Sequence, residues 1–197
     1  RFLAQLAGEL EDLPYRVKGV YEGVSADAPF EVTFNTDNFN LGKDPRVIRF
    51  APPVVIRRLA NFGFPTMTVD AEFTVRRGSA DAEGAPSPLE LFGRLDLRDG
   101  TAAFHKFPYE FSNLRGSVRF SDREIAFDDI TGSSPAGATV QARGVIAPPD
   151  EDPKVEVFVQ ARNVPLDDTL RTAMGPERGQ LLDAIMNRPA YDALVCP

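Results

Sequence analysis

The residues that could do chemistry are few and far apart. The single histidine, His105, lies in "AAFHKFPYE". A serine hydrolase would need that imidazole beside an activated hydroxyl, and no Gly-x-Ser-x-Gly elbow occurs. The serines of "GSSPAG" sit among residues that meet turn stereochemistry, so His105 is expected as a partly exposed strand-end residue. Acidic pairs stand at Asp128-Asp129, Asp150-Glu151-Asp152 and Asp167-Asp168. Glycoside hydrolysis needs two carboxylates facing each other across a cleft, whereas neighbours on a strand point to opposite faces. The "DEDP" stretch lacks the ligand spacing and glycine of an EF-hand loop, which favours a solvated loop over a Ca²⁺ site. The one cysteine, Cys196, excludes an internal disulfide and a cysteine-based metal site. No phosphate loop or dinucleotide fingerprint is present. The expectation is a protein with no catalytic residues, no metal and no cofactor.

Composition narrows the partners. The 197 residues carry a net charge of −7, and no basic run stands out, which argues against nucleic acid and against an anionic membrane surface. Fifteen Phe against four Tyr and no Trp supply apolar bulk with few polar tips. No window reaches the about 18 apolar residues of a spanning helix, and no signal-peptide pattern is present. The chain begins at Arg1 rather than Met and ends at "ALVCP"; it reads as one segment, 1–197, of a longer protein.

The elements follow from periodicity. In "RFLAQLAGELEDLP", Phe2, Leu3, Leu6, Leu10 and Leu13 share a helical face that Pro14 would end, so an N-terminal helix is expected over 1–13. From Tyr15 the period falls to two: "YRVKGVYEG", "FEVTFNT" and "RVIRF" read as strands. A short helix is expected near 54–62, from Pro53 to Gly63. "TMTVDAEFTVRRG" alternates again, and 80–90 has the composition of a flexible loop. In "LFGRLDLRDG", Asp99-Gly100 is a hairpin signal. "LRGSVRFSD" then repeats the phrase, with Gly116 where Gly93 stood, and "EIAFDDITGSSPAGATVQARGVI" repeats it loosely at Gly144. "KVEVFVQARNV" is a last strand. Two helices, with Asp167 as N-cap and a break at Gly175-Pro176, fill 166–188 of a helical C-terminal part that Pro189 closes.

The predicted fold is mainly β, a long antiparallel meander whose strands share one wet and one dry face. The dry face would carry Phe73, Val75, Leu95, Leu97, Val118, Phe120, Ile125, Phe127, Val140, Ile146, Val155, Val157 and Val159. Such a face must be covered by helices, by a second sheet, or by an apolar ligand.

The stretch from about Pro52 to Pro189 resembles the AsmA-like family, relatives of TamB and of the bridge-like lipid-transfer proteins built from repeating β-grooves. The phrases that carry the likeness are "PVVIRRLANFGFPTMTVDAEFTV", "LFGRLDLRDGTAAFHKFPYEFSNLRGSVRFSD", "EIAFDDITGSSPAGATVQARGVI" and "VEVFVQARNVPLDDTLRTAM". The passage Asn163 to Leu170 also matches the family's strand-to-helix pattern. The resemblance implies a twisted, taco-like groove in the periplasm of a diderm bacterium, in a parent anchored in the inner membrane. Its role would be to carry or shield phospholipid acyl chains without chemistry, in outer-membrane biogenesis. The other class the sequence leaves open is a scaffolding β-domain of the envelope that binds no lipid.

Overall fold

A computed structural model describes residues 1–10, 12–42, 60–61, 63, 65–148 and 153–186. Nine strands form one open antiparallel sheet in strict chain order: β1 (Phe2–Leu10), β2 (Leu13–Tyr21), β3 (Phe30–Leu41), β4 (Thr66–Arg77), β5 (Leu89–Phe104), β6 (Phe107–Ser121), β7 (Ile125–Ser133), β8 (Thr139–Ala147) and β9 (Lys154–Arg162). A helical segment, α1 (Asp168–Met186), lies against β6. Gly175, at φ 74° and ψ 174°, breaks α1 in two just before Pro176. Asp167 caps it: the Leu170 N–H donates to Asp167 Oδ1 at 2.9 Å. Asp167→Ala should remove about 1 kcal/mol from this helix, read as faster amide exchange over residues 168–174 with the strands unchanged.

The N-terminal helix expected over 1–13 is overturned. Phe2 to Leu10 is a strand, paired with β2 along its whole length, with Pro14 inside β2 opposite Glu9. The segment carries two periods at once. Phe2, Ala4, Leu6 and Gly8 also alternate, and they meet Tyr21, Gly19, Val17 and Tyr15 in register. Leu10 pairs with Leu13, and Asp12 takes the positive φ of 66° that tight hairpins need. Pairing with β2 therefore decides against helix. The strand expected at "RVIRF" and most of the helix expected near 54–62 lie outside the described residues; Ala60 and Asn61 are helical.

The hairpin expected at Asp99-Gly100 is also overturned. β5 runs through it to Phe104, and the β5–β6 turn is at His105-Lys106. Asp99 (φ 49°) and Gly100 instead form a bulge, where the register with β6 steps from Leu97 to Gly100. Gly100 sits where a Cβ would come 3.0 Å from Met67 and 3.1 Å from Leu114, so the positive φ and the missing side chain serve packing inside the sheet. A second bulge at Asp129 (φ 47°) interrupts β7 between Phe127 and Ile130.

Candidate functional site

The register assembles a wall. One row of directly opposed residues crosses all nine strands: Leu6, Val17, Phe34, Phe73, Gly93, Phe120, Ile125, Ile146 and Val155. The next row runs Gly8, Tyr15, Thr36, Ala71, Leu95, Val118, Phe127, Gly144 and Val157. Val75 extends the wall opposite Val32 and Leu91, Leu97 opposite Val69, Val159 opposite Ala142, and Val140 opposite Gly132 and Ala161. Every dry-face candidate of the sequence thus lies on one face. Rings pack along it, Tyr15 stacked on Phe34 at 6.0 Å and Phe34 tilted against Phe73 at 4.8 Å between centroids.

The repeated glycines have a steric cause. Phe120, opposite Gly93, lays its ring across it, and a Cβ there would come 2.6 Å from Phe120 Cζ, 2.9 Å from Phe73 Cα and against Glu72 O. Gly144 repeats this under Phe127, with Cζ at 2.9 Å and Val157 Cα at 2.9 Å. Gly116 differs: at φ 143° it faces Ile130 and the Asp129 carbonyl of the β7 bulge.

Burial along the wall is graded. At the Met67 end of β4 a cluster closes the surface: Val69 is fully buried and Leu97, Leu114 and Met67 nearly so, with Phe39, Phe111 and Ile130 packed around them. Phe73, Val75, Val118, Phe120 and Phe127 are half-buried. On β9, Val155, Val157 and Val159 are 55%, 46% and 57% exposed, and on β1 Phe2 and Leu6 are each 59% exposed.

The opposite face is mostly polar, although Leu3 and Phe158 stand exposed on it at the two edge strands. Ion pairs of this face include Arg16–Asp37 at 3.0 Å, Arg76–Glu90 at 2.6 Å, Arg119–Asp128 at 2.6 Å and Arg98–Asp70. Exposed pairs of this kind contribute about 0–1 kcal/mol each, so they keep this face hydrated more than they hold the sheet. The hydrogen bond to Asp96, and then its charge, raise the Arg94 pKa. The hydrogen bond with Lys154 lowers that of Glu156, and the same contact raises that of Lys154. A depression of about 440 Å³ also lies here, lined by Arg115, Thr131, Gln141, Gln160 and Arg162 among others.

No reactive cluster forms among the described residues. His105 is exposed in the β5–β6 turn, its Nδ1 3.2 Å from the Asn61 carbonyl oxygen. Ser134 is buried as a turn-former, its Oγ accepting the Ala138 N–H at 3.1 Å and the Tyr109 hydroxyl at 3.4 Å. Asp128 is spent on Arg119, Asp129 accepts from Gln141 Nε2 at 3.3 Å, and Asp167 is the helix cap. Asp150, Glu151 and Asp152 lie outside the described residues. Among the described residues no group of His, Cys, Asp and Glu could hold a metal ion, and no helix is long and apolar enough to cross a membrane.

Sequence reasoning passed over Arg77, the next member of the alternation Val69, Ala71, Phe73, Val75 and hence on the apolar face. It stands in the end row between Phe30 and Leu89. Its Nη1 donates to the Ala26 carbonyl at 2.8 Å and to Asp27 Oδ1 at 3.3 Å, and its guanidinium carbon lies 5.8 Å from the Phe30 ring centroid. Among the described residues its Nε is shut from water with no hydrogen-bond partner, an arrangement that costs about 1–3 kcal/mol.

No family model, curated protein or solved structure matches this chain.

Proposed function

We propose that the apolar face shields or conducts the acyl chains of phospholipids, as one segment of an envelope protein that bridges the inner and outer membranes of a diderm bacterium. In this reading the sheet curls into a taco-like groove, the parent is anchored in the inner membrane by a segment outside this chain, and no covalent step occurs. The observation that carries the proposal is the unbroken apolar row from Leu6 on β1 to Val155 on β9. Such a surface suits a hydrocarbon chain because each methylene moved out of water contributes about 0.8 kcal/mol without any directional contact. Valine and phenylalanine walls accept many chain positions equally, which a conduit requires and a specific pocket does not.

The second reading is a scaffolding β-domain of the envelope without lipid, favoured by the closed cluster of Val69, Leu97 and Leu114. Photo-crosslinking groups at Val118, Phe120 and Val157, in the full-length parent in cells, separate the two. Shielding predicts phospholipid adducts several-fold above those from Arg119 and Glu156 on the wet face. Equal capture from both faces would leave the scaffold.

A further inference from the structure

We propose that Arg77 is a headgroup anchor, so that the apolar wall selects anionic amphiphiles, holding a phosphate or carboxylate at its rim. The inference rests on the lipid-shielding reading above and adds the ligand's chemical class and the polarity with which it lies.

Three observations carry it. Among the described strand residues that face the wall, Arg77 is the one charged side chain; the others on that face are apolar residues, glycines, Thr36 and tyrosines. Its placement gives the wall two unlike ends. The Met67, Val69 and Leu97 end is closed by packing, and Arg77 stands at the other end of β4, in the row Phe2, Tyr21, Phe30, Arg77 and Leu89. A tail lying toward the closed end places its head at the guanidinium.

The third is the pairing of Arg77 itself. Its side chain is only 19% exposed, yet its carboxylate partner, Asp27, is 70% exposed at 3.3 Å, and its Nε has no hydrogen-bond partner among the described residues. A guanidinium drawn against apolar surface is costly unless an anion meets it in good geometry. A phosphate or carboxylate can take two parallel N–H donors from one arginine, and a modest shift of the side chain would bring Nε into such a fork.

The test titrates the 197-residue chain with lysophosphatidic acid, with a monoacylglycerol of the same acyl chain, and with glycerol 3-phosphate, reading displacement of a fluorescent apolar probe. Lysophosphatidic acid should bind about tenfold tighter than the monoacylglycerol, the gain of one charge-assisted contact. Arg77→Met should erase that preference while the monoacylglycerol binds as before, and Asp27→Asn, which removes the carboxylate charge that competes for the guanidinium, should strengthen lysophosphatidic acid a few-fold. Glycerol 3-phosphate should not compete.

A preference that survives Arg77→Met overturns the anchor and leaves lipid shielding standing. Binding of neither amphiphile to the unaltered chain overturns both. Competition by glycerol 3-phosphate at the affinity of lysophosphatidic acid would make this a site for a free anion and overturn the anchor. Should Arg77→Met lose both amphiphiles through misfolding, Asp27→Asn decides, and no gain there overturns the inference.

Discussion

Replacing Gly93 by valine should lower the unfolding free energy of the sheet by about 3 kcal/mol, at the upper end of the usual cost of overpacking. Alanine there should cost about 1–3 kcal/mol, because the first carbon added already meets Phe120 Cζ at 2.6 Å and Phe73 Cα at 2.9 Å. Neither neighbour yields easily: one is backbone of β4, and the other is the end of a ring seated in the wall. Denaturant unfolding of the variant checks the number. The cause can be isolated, since Phe120→Leu removes the atom that clashes and the double variant should recover part of the loss. Losses that simply add would place the strain in the β4 backbone instead. Gly144→Ala, under Phe127 in the same way, should behave likewise.

That repeated glycine explains what the sequence could and could not reveal. Alternation from Thr66 onward specified strands and faces, because a residue's side on a strand depends only on parity, and parity survives wherever no bulge intervenes. Where bulges intervene, as at Asp99-Gly100 and Asp129, an added residue at a positive φ keeps the wall residues on either side, Leu97 with Gly100 and Phe127 with Ile130, on the same face. The Asp-Gly pair at 99–100 looks like a turn locally, and only the neighbouring Met67 and Leu114 make it a bulge. The first strand failed for a similar reason: leucines at 3, 6, 10 and 13 satisfy a helix, and its pairing with β2 is not a local property. The recurrence of Gly93 and Gly144 was visible as text. Its cause, a ring from the next strand lying over the glycine, is a cross-strand contact that one-dimensional spacing does not contain.

Arg77 is the converse case, a charged residue whose place on the wall follows from parity alone. It completes the alternation Val69, Ala71, Phe73, Val75, so its side was fixed by the same parity that placed the others. A charged residue at the end of an apolar run reads as the point where the strand leaves the sheet. In the structure it is still in β4, opposite Phe30 and Leu89, with its side chain largely out of water.

An aspartate placed at Val69 should unfold the protein, whereas the same residue at Val157 should be borne. Both positions belong to one face, yet Val69 has no exposed surface and Val157 is 46% exposed. At Val69 a carboxylate would lie among the apolar side chains of Met67, Leu97 and Leu114; an uncompensated buried charge costs about 3–5 kcal/mol. That is comparable with the whole stability of a typical domain, about 5–15 kcal/mol, so cooperative melting should be lost near 37 °C. At Val157 the carboxylate keeps its water, and the loss should stay within about 1 kcal/mol. Circular dichroism melts of the two variants give the comparison, and equal destabilisation would mean that the wall is sealed along its whole width. If the wall works as proposed, Val157→Asp has a second consequence: a folded sheet with a charge on its apolar track should lose lipid adducts at Val118 and Phe120 while keeping most of its stability. A scaffold would register neither change.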